Sequence, residues 1–589
     1  MTPASGFCGL LAAAGHTLHV DLLGAVPALV WSQDGLLRFA AWASPNGQGR
    51  LALFDAGGAA FHGELYNRPD LCCQLGLPED TMLLPLLRAG WQKWGEALLP
   101  RLDGVFALAM RDGDSLVLYR DASGLRNLYA YTGRDGQIAF ATHLDTLLHL
   151  PGTERRLARR SVHEYLRFLD IAAPNTLFED VIAVEAGQVL RWSAQGMESR
   201  MLAAPQADAP APASFAAAVD ALDAYLQRSV QTRLAGAERP AAFLSGGIDS
   251  ALLCAMAACH RGDMTAITVG FEGHEYDESP VAQRIAAHLG LKHEVLRFGR
   301  QDFLSAFERL ARRMEQPMAD PATPATLLAF EHCHNRFDAV LDGTGADEAV
   351  GMMPPRHVRL AVAWASLLPR NARGGLIRLL RATPGAAGFT PIFDFEHPAD
   401  TMIRWNGFTR SEIEDLCGEP VSFGHSQFYR TFDRHPRHAH FERYSALLNA
   451  MPSDRLNQAM LLSGTTVRYP FFAADTDHFI RQLRTDHRYL PGQPKRILRA
   501  LLARYVPAPV WDLPKHGFNF PLNDFLGAND FALVRRHLDA NRWARTGILS
   551  GEKVAQVARR FIAGDRRLTF RVWALAVLGA WLDEHGEWH

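Results

Sequence analysis

The sequence reads Phe243-Leu244-Ser245-Gly246-Gly247-Ile248-Asp249-Ser250 where an apolar run meets a stretch rich in Ala, Leu and Met. This order predicts a strand, a tight loop and the start of a helix. Adjacent glycines let the backbone approach a ligand closely, and the N–H groups and dipole at a helix start attract an anion. The stretch therefore predicts an anion site, with Asp249 placed to hold a metal ion beside it.

This loop differs from the phosphate loop of kinases and GTPases, because no Gly-Lys-Ser/Thr follows its glycines. It resembles the pyrophosphate-binding loop of ATP pyrophosphatases, enzymes that split ATP into AMP and pyrophosphate. For the segment taken alone, an ordinary glycine turn between a strand and a helix is the alternative.

The composition limits the classes of protein to which this chain can belong. A chain of 589 residues is long enough for two or more domains, and its charges nearly balance at a formal net charge of -2. We expect neither a nucleic acid nor a membrane as partner, because there is no basic excess, no apolar run of ~20 residues and no signal peptide pattern. Seven scattered cysteines without a CxxC pair predict no disulfide framework and no zinc site, which fits a reduced cytoplasm.

Domain organisation follows from a Pro- and Ala-rich linker at residues 203–213. We expect a β-rich domain at residues 1–202, with short strands separated by turns. Residues 214–589 should form an α/β domain with a doubly wound parallel sheet and a long helical extension. The predicted strands are Leu51–Phe54, Ala59–Phe61, Ser115–Tyr119, Gln137–Ala141 and Gln188–Arg191 before the linker, and Ala241–Leu244, Ala266–Val269 and Ala339–Leu341 after it; Phe570–Leu582 is predicted to be a buried helix.

Further segments give the loop its context. They are Thr268-Val269-Gly270-Phe271-Glu272-Gly273, Tyr276-Asp277-Glu278-Ser279, Asp342-Gly343-Thr344-Gly345-Ala346-Asp347-Glu348 and Pro514-Lys515-His516-Gly517-Phe518. In this order and spacing they resemble the synthetase domain of the asparagine synthetase family. The front part resembles the class II glutamine amidotransferase domain, which implies an Ntn-type, sandwich-like fold; the matching positions are Arg50, Phe61–Asn67, Leu102–Gly104 and Arg120–Gly124.

The resemblance implies an ATP site with Mg²⁺. Its expected nucleotide-binding residues are Leu244, Ser245, Gly246, Gly247, Asp249, Ser250, Val269, Gly270, Phe271, Gly343 and Gly345, with Val269 to Phe271 along the adenine edge. Asp249 and Asp347 are the expected joint Mg²⁺ ligands. Lys515, Asp347 and Arg468 are the expected catalytic residues.

Each of these assignments has a structural alternative. Asp347 and Glu348 also suit the acidic first turn of a helix, and both roles can hold together. Lys515 can be a solvated surface lysine. Arg468 can equally be the structural partner of a buried carboxylate.

The amidotransferase pattern is broken in several places. Class II enzymes use an N-terminal cysteine whose own α-amine acts as the base. The matching Cys8 lies behind seven residues, so its nitrogen is an amide unless that segment is removed. His62 stands where the family has Asn before Gly-Glu, although Arg50, Glu64 and Asp103 remain possible glutamine-site matches. We therefore expect no glutaminase activity, with Cys8 as a small buried apolar residue.

The synthetase pattern also departs near the acceptor. Thr344 stands where family members often carry an acid, and Ala473-Ala474 replaces the acidic residue that commonly follows Pro-Phe-Phe. We expect a lasso-peptide cyclase, which adenylates an Asp or Glu side chain of a precursor peptide and closes a macrolactam, with a companion leader peptidase as a further partner. The alternatives are a glutamine-hydrolysing asparagine synthetase, a β-lactam synthetase and a non-catalytic homologue that binds nucleotide or peptide.

Overall fold

The computed structural model describes residues 5–11, 29–33, 37–42, 52–54, 58–134, 136–193, 195–202, 212–271, 277–383, 393–403, 407–450, 454–512 and 521–585. Lys515 and Arg50 lie outside these ranges, as does most of the predicted linker.

Antiparallel strands dominate the front part of the chain. They are β1 (Gly6–Leu11), β2 (Leu29–Gln33), β3 (Leu37–Trp42), β4 (Ala52–Phe54), β5 (Ala59–Leu65), β6 (Gly104–Asp112), β7 (Ser115–Arg120), β8 (Tyr129–Thr132), β9 (Ile138–Ala141), β10 (Val181–Ala183), β11 (Gln188–Ser193) and β12 (Gly196–Met201). They form one sheet in the order β10-β8-β9-β1-β3-β2 and another in the order β12-β11-β7-β6-β5-β4. Phe7 and Phe140 of the first sheet share a core with Ala60 and Leu118 of the second, which confirms the predicted sandwich-like domain.

Helices cover the outer sides of these sheets. They are α1 (Arg68–Leu75), α2 (Leu83–Trp94), α3 (Leu144–Leu148) and α4 (Arg159–Phe168). Leu71 of α1 and Leu86 of α2 pack on Phe61 and Tyr119 of the second sheet.

Strands and helices alternate in the first half of the second domain. The elements are α5 (Phe215–Leu234), β13 (Pro240–Phe243), α6 (Ile248–His260), β14 (Thr265–Gly270), α7 (Ser279–Leu289), β15 (Lys292–Arg297), α8 (Arg300–Arg313), α9 (Thr323–Cys333), β16 (Ala339–Leu341) and α10 (Ala346–Val350).

The rest of the described chain is mainly helical. It contains α11 (Arg356–Ala365), α12 (Arg370–Ala382), α13 (Asp400–Ile403), α14 (Arg410–Cys417), α15 (Gln427–Arg434), α16 (His440–Ala450), α17 (Asp454–Ser463), the short strand β17 (Val467–Arg468), α18 (Ala474–Gln482), α19 (Thr485–Arg488), α20 (Arg496–Tyr505), α21 (Ala508–Trp511), α22 (Leu522–Leu526), α23 (Ala528–His537), α24 (Ala540–Thr546), α25 (Gly551–Ile562) and α26 (Thr569–His585). Helix α26 contains the predicted buried segment, and its residues from Val572 to Leu582 are buried.

A parallel sheet organises the second domain, with the strand order β15-β14-β13-β16-β17. Every neighbouring pair in this sheet is parallel. The predicted strands therefore form the expected doubly wound unit. Because parallel strands end at a common edge, the loops after β13, β14 and β16 meet there, and these loops carry most of the predicted nucleotide-binding residues.

The two domains share a buried interface. Tyr165 of α4 donates a hydrogen bond to the carbonyl of Ala574 in α26 at 2.8 Å. Glu315, which follows α8, accepts hydrogen bonds from Tyr129 at 2.8 Å and Asn127 at 3.1 Å in the front domain. Within the described residues, no helix is both long and apolar enough to cross a bilayer.

Candidate active site

The loop after β13, from Ser245 to Ser250, is closed by hydrogen bonds of its own serines, and we call it the serine loop. The Ser245 backbone N–H donates to Ser250 Oγ at 3.0 Å, and the two hydroxyl oxygens lie 2.9 Å apart. The Gly247 N–H donates to Ser245 Oγ at 3.1 Å. The Leu244 N–H donates to the carbonyl of Ile267 at 2.8 Å and continues the pairing with β14. The loop is thus shaped before any ligand binds, as electrostatic preorganisation requires.

Two glycines allow the loop after β16 to approach this site. A Cβ atom at Gly343 would lie 3.1 Å from the carbonyl carbon of Asp249 and 3.1 Å from the nitrogen of Ser250. Gly345 has a φ of 102°, which an L side chain rarely adopts. Gly343 therefore has a packing role that the sequence interpretation missed, since it brings the two predicted metal ligands together.

Asp249 and Asp347 converge on one buried cation, the ammonium of Lys495. Lys495 Nζ lies 2.8 Å from Asp347 Oδ1 and also forms a close ion pair with Asp249 Oδ2. Lys495 is 8 % exposed and has a φ of 56° immediately before α20. Burial lowers the pKa of Lys495, but the two carboxylates outweigh burial, and its net pKa is raised.

Glu348 takes the helix-start role that was the alternative for this acidic pair. Its Oε2 accepts a hydrogen bond from the Gly345 N–H at 3.0 Å. Burial raises the pKa of Glu348 to about 7, and the charges of Asp347 and Asp249 act in the same direction. The helix-start interpretation is therefore met by Glu348, which caps α10, while Asp347 faces Lys495 and its metal-binding role stays a prediction.

The segment expected along the adenine edge ends β14. Thr268 Oγ1 donates to the Leu244 carbonyl at 2.6 Å, which ties this strand end to the serine loop. The side chain of Phe271 is 7 % exposed and stacks on Phe303 with ring centroids 6.3 Å apart. The ring of Phe271 thus belongs to the core, and its backbone N–H donates to Asp277 Oδ1 at 3.4 Å.

Glu278, at the start of α7, also faces the serine loop. Its Oε2 accepts a hydrogen bond from the Gly246 N–H at 3.2 Å. A Cβ atom at Gly246 would lie 3.4 Å from the Glu278 Cβ atom. This carboxylate is therefore bound to a backbone donor that the sequence assigns to phosphate.

Arg468 has a carboxylate partner in the front domain. Its Nη2 lies 3.1 Å from Glu64 Oε1, and its Nε lies 3.3 Å from Glu64 Oε2. Both side chains are largely buried, at 16 % and 15 % exposure. This pairing is the structural alternative that the sequence left open. Among the described residues, Arg468 donates its hydrogen bonds to Glu64 and to the carbonyl of Arg233, and forms no hydrogen bond or ion pair with Asp249, Asp347 or Lys495.

A second arginine repeats this arrangement. Arg233 of α5 binds Asp103 through both terminal nitrogens, at 2.8 and 3.2 Å. Its guanidinium also lies over the ring of Tyr66 at 4.5 Å. Glu64 and Asp103, the possible glutamine-site carboxylates, therefore bind arginines of the second domain.

A cavity of about 230 Å³ adjoins this seam between the domains. Its wall includes Glu64, Arg468, His334, Asp338 and Thr465. The residues expected to bind nucleotide do not line it.

The position of Cys8 supports its expected structural role. The residue lies within β1, where its neighbours across the sheet are Ala40 and Ala141. It is fully buried, and burial raises the pKa of its thiol to about 12. Such a thiol is protonated at neutral pH and is a poor nucleophile.

Ser5, rather than Cys8, lies beside His62. Ser5 Oγ is 3.5 Å from His62 Nε2, and both residues are buried. A Cβ atom at the following Gly6 would lie 2.6 Å from Thr142 Oγ1, so this position requires glycine. The structure therefore places the Ser5-Gly6 pair, and not the expected match Cys8, beside His62.

Lys495 is the main residue that sequence reasoning missed. It lies in Gln493-Pro494-Lys495-Arg496, a basic segment directly before an amphipathic helix, and such segments are common on protein surfaces. Lys515, the predicted catalytic cation, lies outside the described residues. The Thr344 hydroxyl donates a hydrogen bond to Asp342 Oδ1 at 2.6 Å, which closes the turn that contains both residues.

Comparison with known proteins agrees with this architecture. The Asparagine synthase family model matches residues 221–583, and the Glutamine amidotransferase domain model matches residues 55–202. A Mycobacterium bovis protein with the provisional name asparagine synthetase (glutamine-hydrolysing) is 25 % identical over 519 residues, covering 83 % of this chain and 78 % of its own length.

Two further relatives differ in their names. Asparagine synthetase (glutamine-hydrolysing) 1 of Bacillus subtilis is 22 % identical over 555 residues, covering 88 % of this chain and 84 % of its own length. Amidase chry2 of Gibberella zeae is 27 % identical over 325 residues, covering 50 % of this chain and 47 % of its own. With the family model spanning most of the second domain, the chain belongs to the asparagine synthase family of ATP-dependent carbon–nitrogen ligases and carries a glutamine amidotransferase-like domain in front.

Proposed function

We propose that this ligase adenylates an Asp or Glu side chain of a precursor peptide and closes a macrolactam with the peptide's own amine, as a lasso-peptide cyclase does. The observation that carries the proposal is that Ser5, and not a cysteine, lies beside His62, while Cys8 is buried within a strand with a thiol pKa of about 12. Without a reactive cysteine at this place, ammonia is not released from glutamine there, which favours an attacking amine that belongs to the substrate. A companion leader peptidase and a cytoplasmic location are part of the same proposal.

The nucleotide side of the site retains what adenylation needs. Forming an acyl-adenylate gathers negative charge at the α-phosphate, and the N–H groups and hydroxyls from Ser245 to Ser250 are suited to stabilise it. Lys495 is a further cation that can turn towards the phosphates if its carboxylate partners bind another cation.

The residues present fit Mg²⁺. Asp249 and Asp347 already converge on a cation, and carboxylate oxygens together with phosphate oxygens are the ligands that Mg²⁺ prefers. When bound, Mg²⁺ supplies charge neutralisation at the phosphates.

The front domain supports a scaffold role in this proposal. Glu64 and Asp103 bind Arg468 and Arg233 of the second domain. A glutamine that needed these carboxylates would have to displace two guanidinium groups. The same contacts favour an amine that arrives with the substrate.

The second candidate is a glutamine-hydrolysing asparagine synthetase. The names of the Mycobacterium bovis and Bacillus subtilis relatives favour it, as does the presence of Glu64 and Asp103 at possible glutamine-site positions. In that case free aspartate would be the substrate, and glutamine would support amide formation.

The test combines three measurements on the purified full-length chain. We expect exchange of labelled pyrophosphate into ATP that depends on a peptide carboxylate, AMP as the nucleotide product, and no glutamate released from glutamine. Release of only ADP and orthophosphate would refute adenylation. Glutamine-supported conversion of aspartate to asparagine would establish the second candidate instead.

A further inference from the structure

An arginine-rich segment without acidic residues, at positions 349–393, lies between α10 and α13. Between Glu348 and Asp394 the sequence contains six arginines, at positions 356, 359, 370, 373, 378 and 381, and no Asp or Glu. Helices α11 and α12 make up most of this segment. In a chain with a net charge of only -2, this is a strong local excess of positive charge.

Large apolar side chains of these helices face solvent. Leu360, Trp364 and Leu367 are 57, 76 and 79 % exposed, and Leu379 is 63 % exposed. The first three are spaced by four and three residues, so they lie on one face of α11 and its extension. Exposed apolar residues that cluster beside polar groups mark interaction sites.

This exposure belongs to an ordered pair of helices. Val362 and Ala365, on the other face of α11, are buried against Phe395. Arg373 of α12 is buried and donates to the Phe395 carbonyl at 2.9 Å. The outer apolar residues are therefore held at the surface by a small core beneath them.

The segment lies next to the candidate active site along the chain. Helix α11 begins nine residues after Asp347. The connection is held against α16, because Ser445 Oγ donates to the Met352 carbonyl at 3.4 Å and a Cβ atom at Gly351 would lie 2.3 Å from Ser445 Oγ. A short connection that is held in place therefore links this surface to Asp347.

We propose that this face docks an acidic, amphipathic segment of the polypeptide substrate. We call it the basic helix-pair surface and define it by Arg356, Leu360, Trp364, Leu367, Arg378 and Leu379. Its apolar residues and arginines are the residue types that dominate binding energy at interfaces, and their charge complements Asp and Glu. The inference rests on the proposed peptide substrate, and the short connection from Asp347 to α11 favours a substrate over a lipid bilayer.

The test uses a labelled synthetic peptide of about 20 residues, with glutamates on one helical face and leucines on the other. We expect binding by fluorescence anisotropy that weakens as salt is added. The double variant Trp364→Ala/Leu367→Ala and the double variant Arg356→Glu/Arg378→Glu should each weaken binding at least about tenfold. Met82→Ala, at a residue 72 % exposed in the front domain, and Arg437→Glu, at an exposed arginine, should not weaken it.

Nucleotide binding by the same variants separates this inference from the proposed function. We expect the surface variants to bind ATP as the parent chain does, since the surface lies outside the serine loop. If the parent chain does not bind the peptide but still catalyses ATP–pyrophosphate exchange, only the docking surface is overturned. Peptide binding without any ATP–pyrophosphate exchange would overturn the proposed function and leave the surface standing.

Two other occupants are outcomes that would overturn the inference. We expect the chain not to sediment with vesicles that contain phosphatidylglycerol. Co-sedimentation that the Trp364→Ala/Leu367→Ala variant abolishes would assign the surface to a membrane. Dimerisation in the ultracentrifuge that the Trp364→Ala/Leu367→Ala variant abolishes would assign it to a second copy of the chain.

Discussion

Lys495 Nζ lies 2.8 Å from Asp347 Oδ1, where a divalent cation would be expected to bind. The lysine neutralises the carboxylate pair. If the pair binds Mg²⁺ as proposed, the metal would displace the ammonium and leave it available to the phosphates.

Replacement of Lys495 by Ala should make divalent cations stabilise the protein. Without the ammonium, the largely buried Asp249 faces Asp347, whose side chain is 42 % exposed, so the free energy of unfolding should fall by about 1–3 kcal/mol, between the values for exposed and buried pairs. Urea unfolding should show that Mg²⁺ restores most of this loss, and calorimetry should show tighter Mg²⁺ binding than in the parent chain.

The matched control for that experiment is Lys553→Ala. Lys553 pairs with Asp415 at 2.9 Å, but both side chains are exposed. Its loss should cost less than about 1 kcal/mol and should not respond to Mg²⁺. Equal Mg²⁺ affinity in the Lys495→Ala variant and the parent would contradict the displacement.

Asp249→Asn should reduce ATP–pyrophosphate exchange by more than ~10²-fold, the scale of losing one preorganised charged group. The amide is close in size to the carboxylate, so the circular dichroism spectrum should be unchanged. Asp220→Asn, at the exposed partner of Arg504, is the control and should keep full exchange. Full exchange in the Asp249→Asn variant would remove this residue from the site.

Cys8→Ala should leave amide formation unchanged, because a buried thiol with a raised pKa takes no part in it. Replacing the thiol should cost about 1 kcal/mol of stability, as a small cavity does. The product is measured by mass spectrometry with peptide, ammonia and glutamine as separate amine sources. A large loss confined to glutamine would restore the amidotransferase function.

Glu64→Gln should destabilise the full-length chain by about 2–4 kcal/mol, because it leaves the mostly buried Arg468 without its carboxylate. Arg468→Met with Glu64→Gln should cost less than the sum of the single changes. Chemical unfolding of the four proteins gives this coupling energy directly. Additive losses would show that the pair contributes nothing to the interface.

Glu164→Gln should change how stability depends on pH. Glu164 is fully buried, and burial raises its pKa from 4.5 to about 8. Between these two pH values, the folded protein therefore holds a proton that the unfolded chain releases. The contribution of Glu164 to the free energy of unfolding is complete below about pH 4.5 and is lost as pH rises towards 8.

The slope from this one group is at most about 1.4 kcal/mol per pH unit. Gln mimics the protonated acid. The melting temperature of Glu164→Gln should therefore fall less between pH 5 and 8 than the melting temperature of the parent chain. Glu419→Gln, at an exposed carboxylate of the same region, is the control. Parallel curves for Glu164→Gln and the parent would contradict the raised pKa.

Much of the fold could be predicted from local sequence. Strands β13, β14 and β16 and helix α26 were predicted because buried runs bounded by turn residues have few alternatives. The serine loop was predicted because its glycines and hydroxyls occur together in one segment.

The parts of the site that depend on distant residues were not predicted. Lys495 meets Asp249 across 246 positions, and Arg468 meets Glu64 across 404. Periodicity and motif spacing contain no information on such pairs. Gly343 was assigned to nucleotide, whereas its packing against Asp249 becomes visible only once both loops are placed.

Glu64 and Asp103 now hold arginines of the other half of the molecule, and this makes the halves interdependent. If the gene were split or the front half deleted, Arg233 and Arg468 would each lose the carboxylate that neutralises them beneath the surface. Even without a reaction of its own, the front half would then stabilise the synthetase half, which is a reason for selection to keep both on one chain.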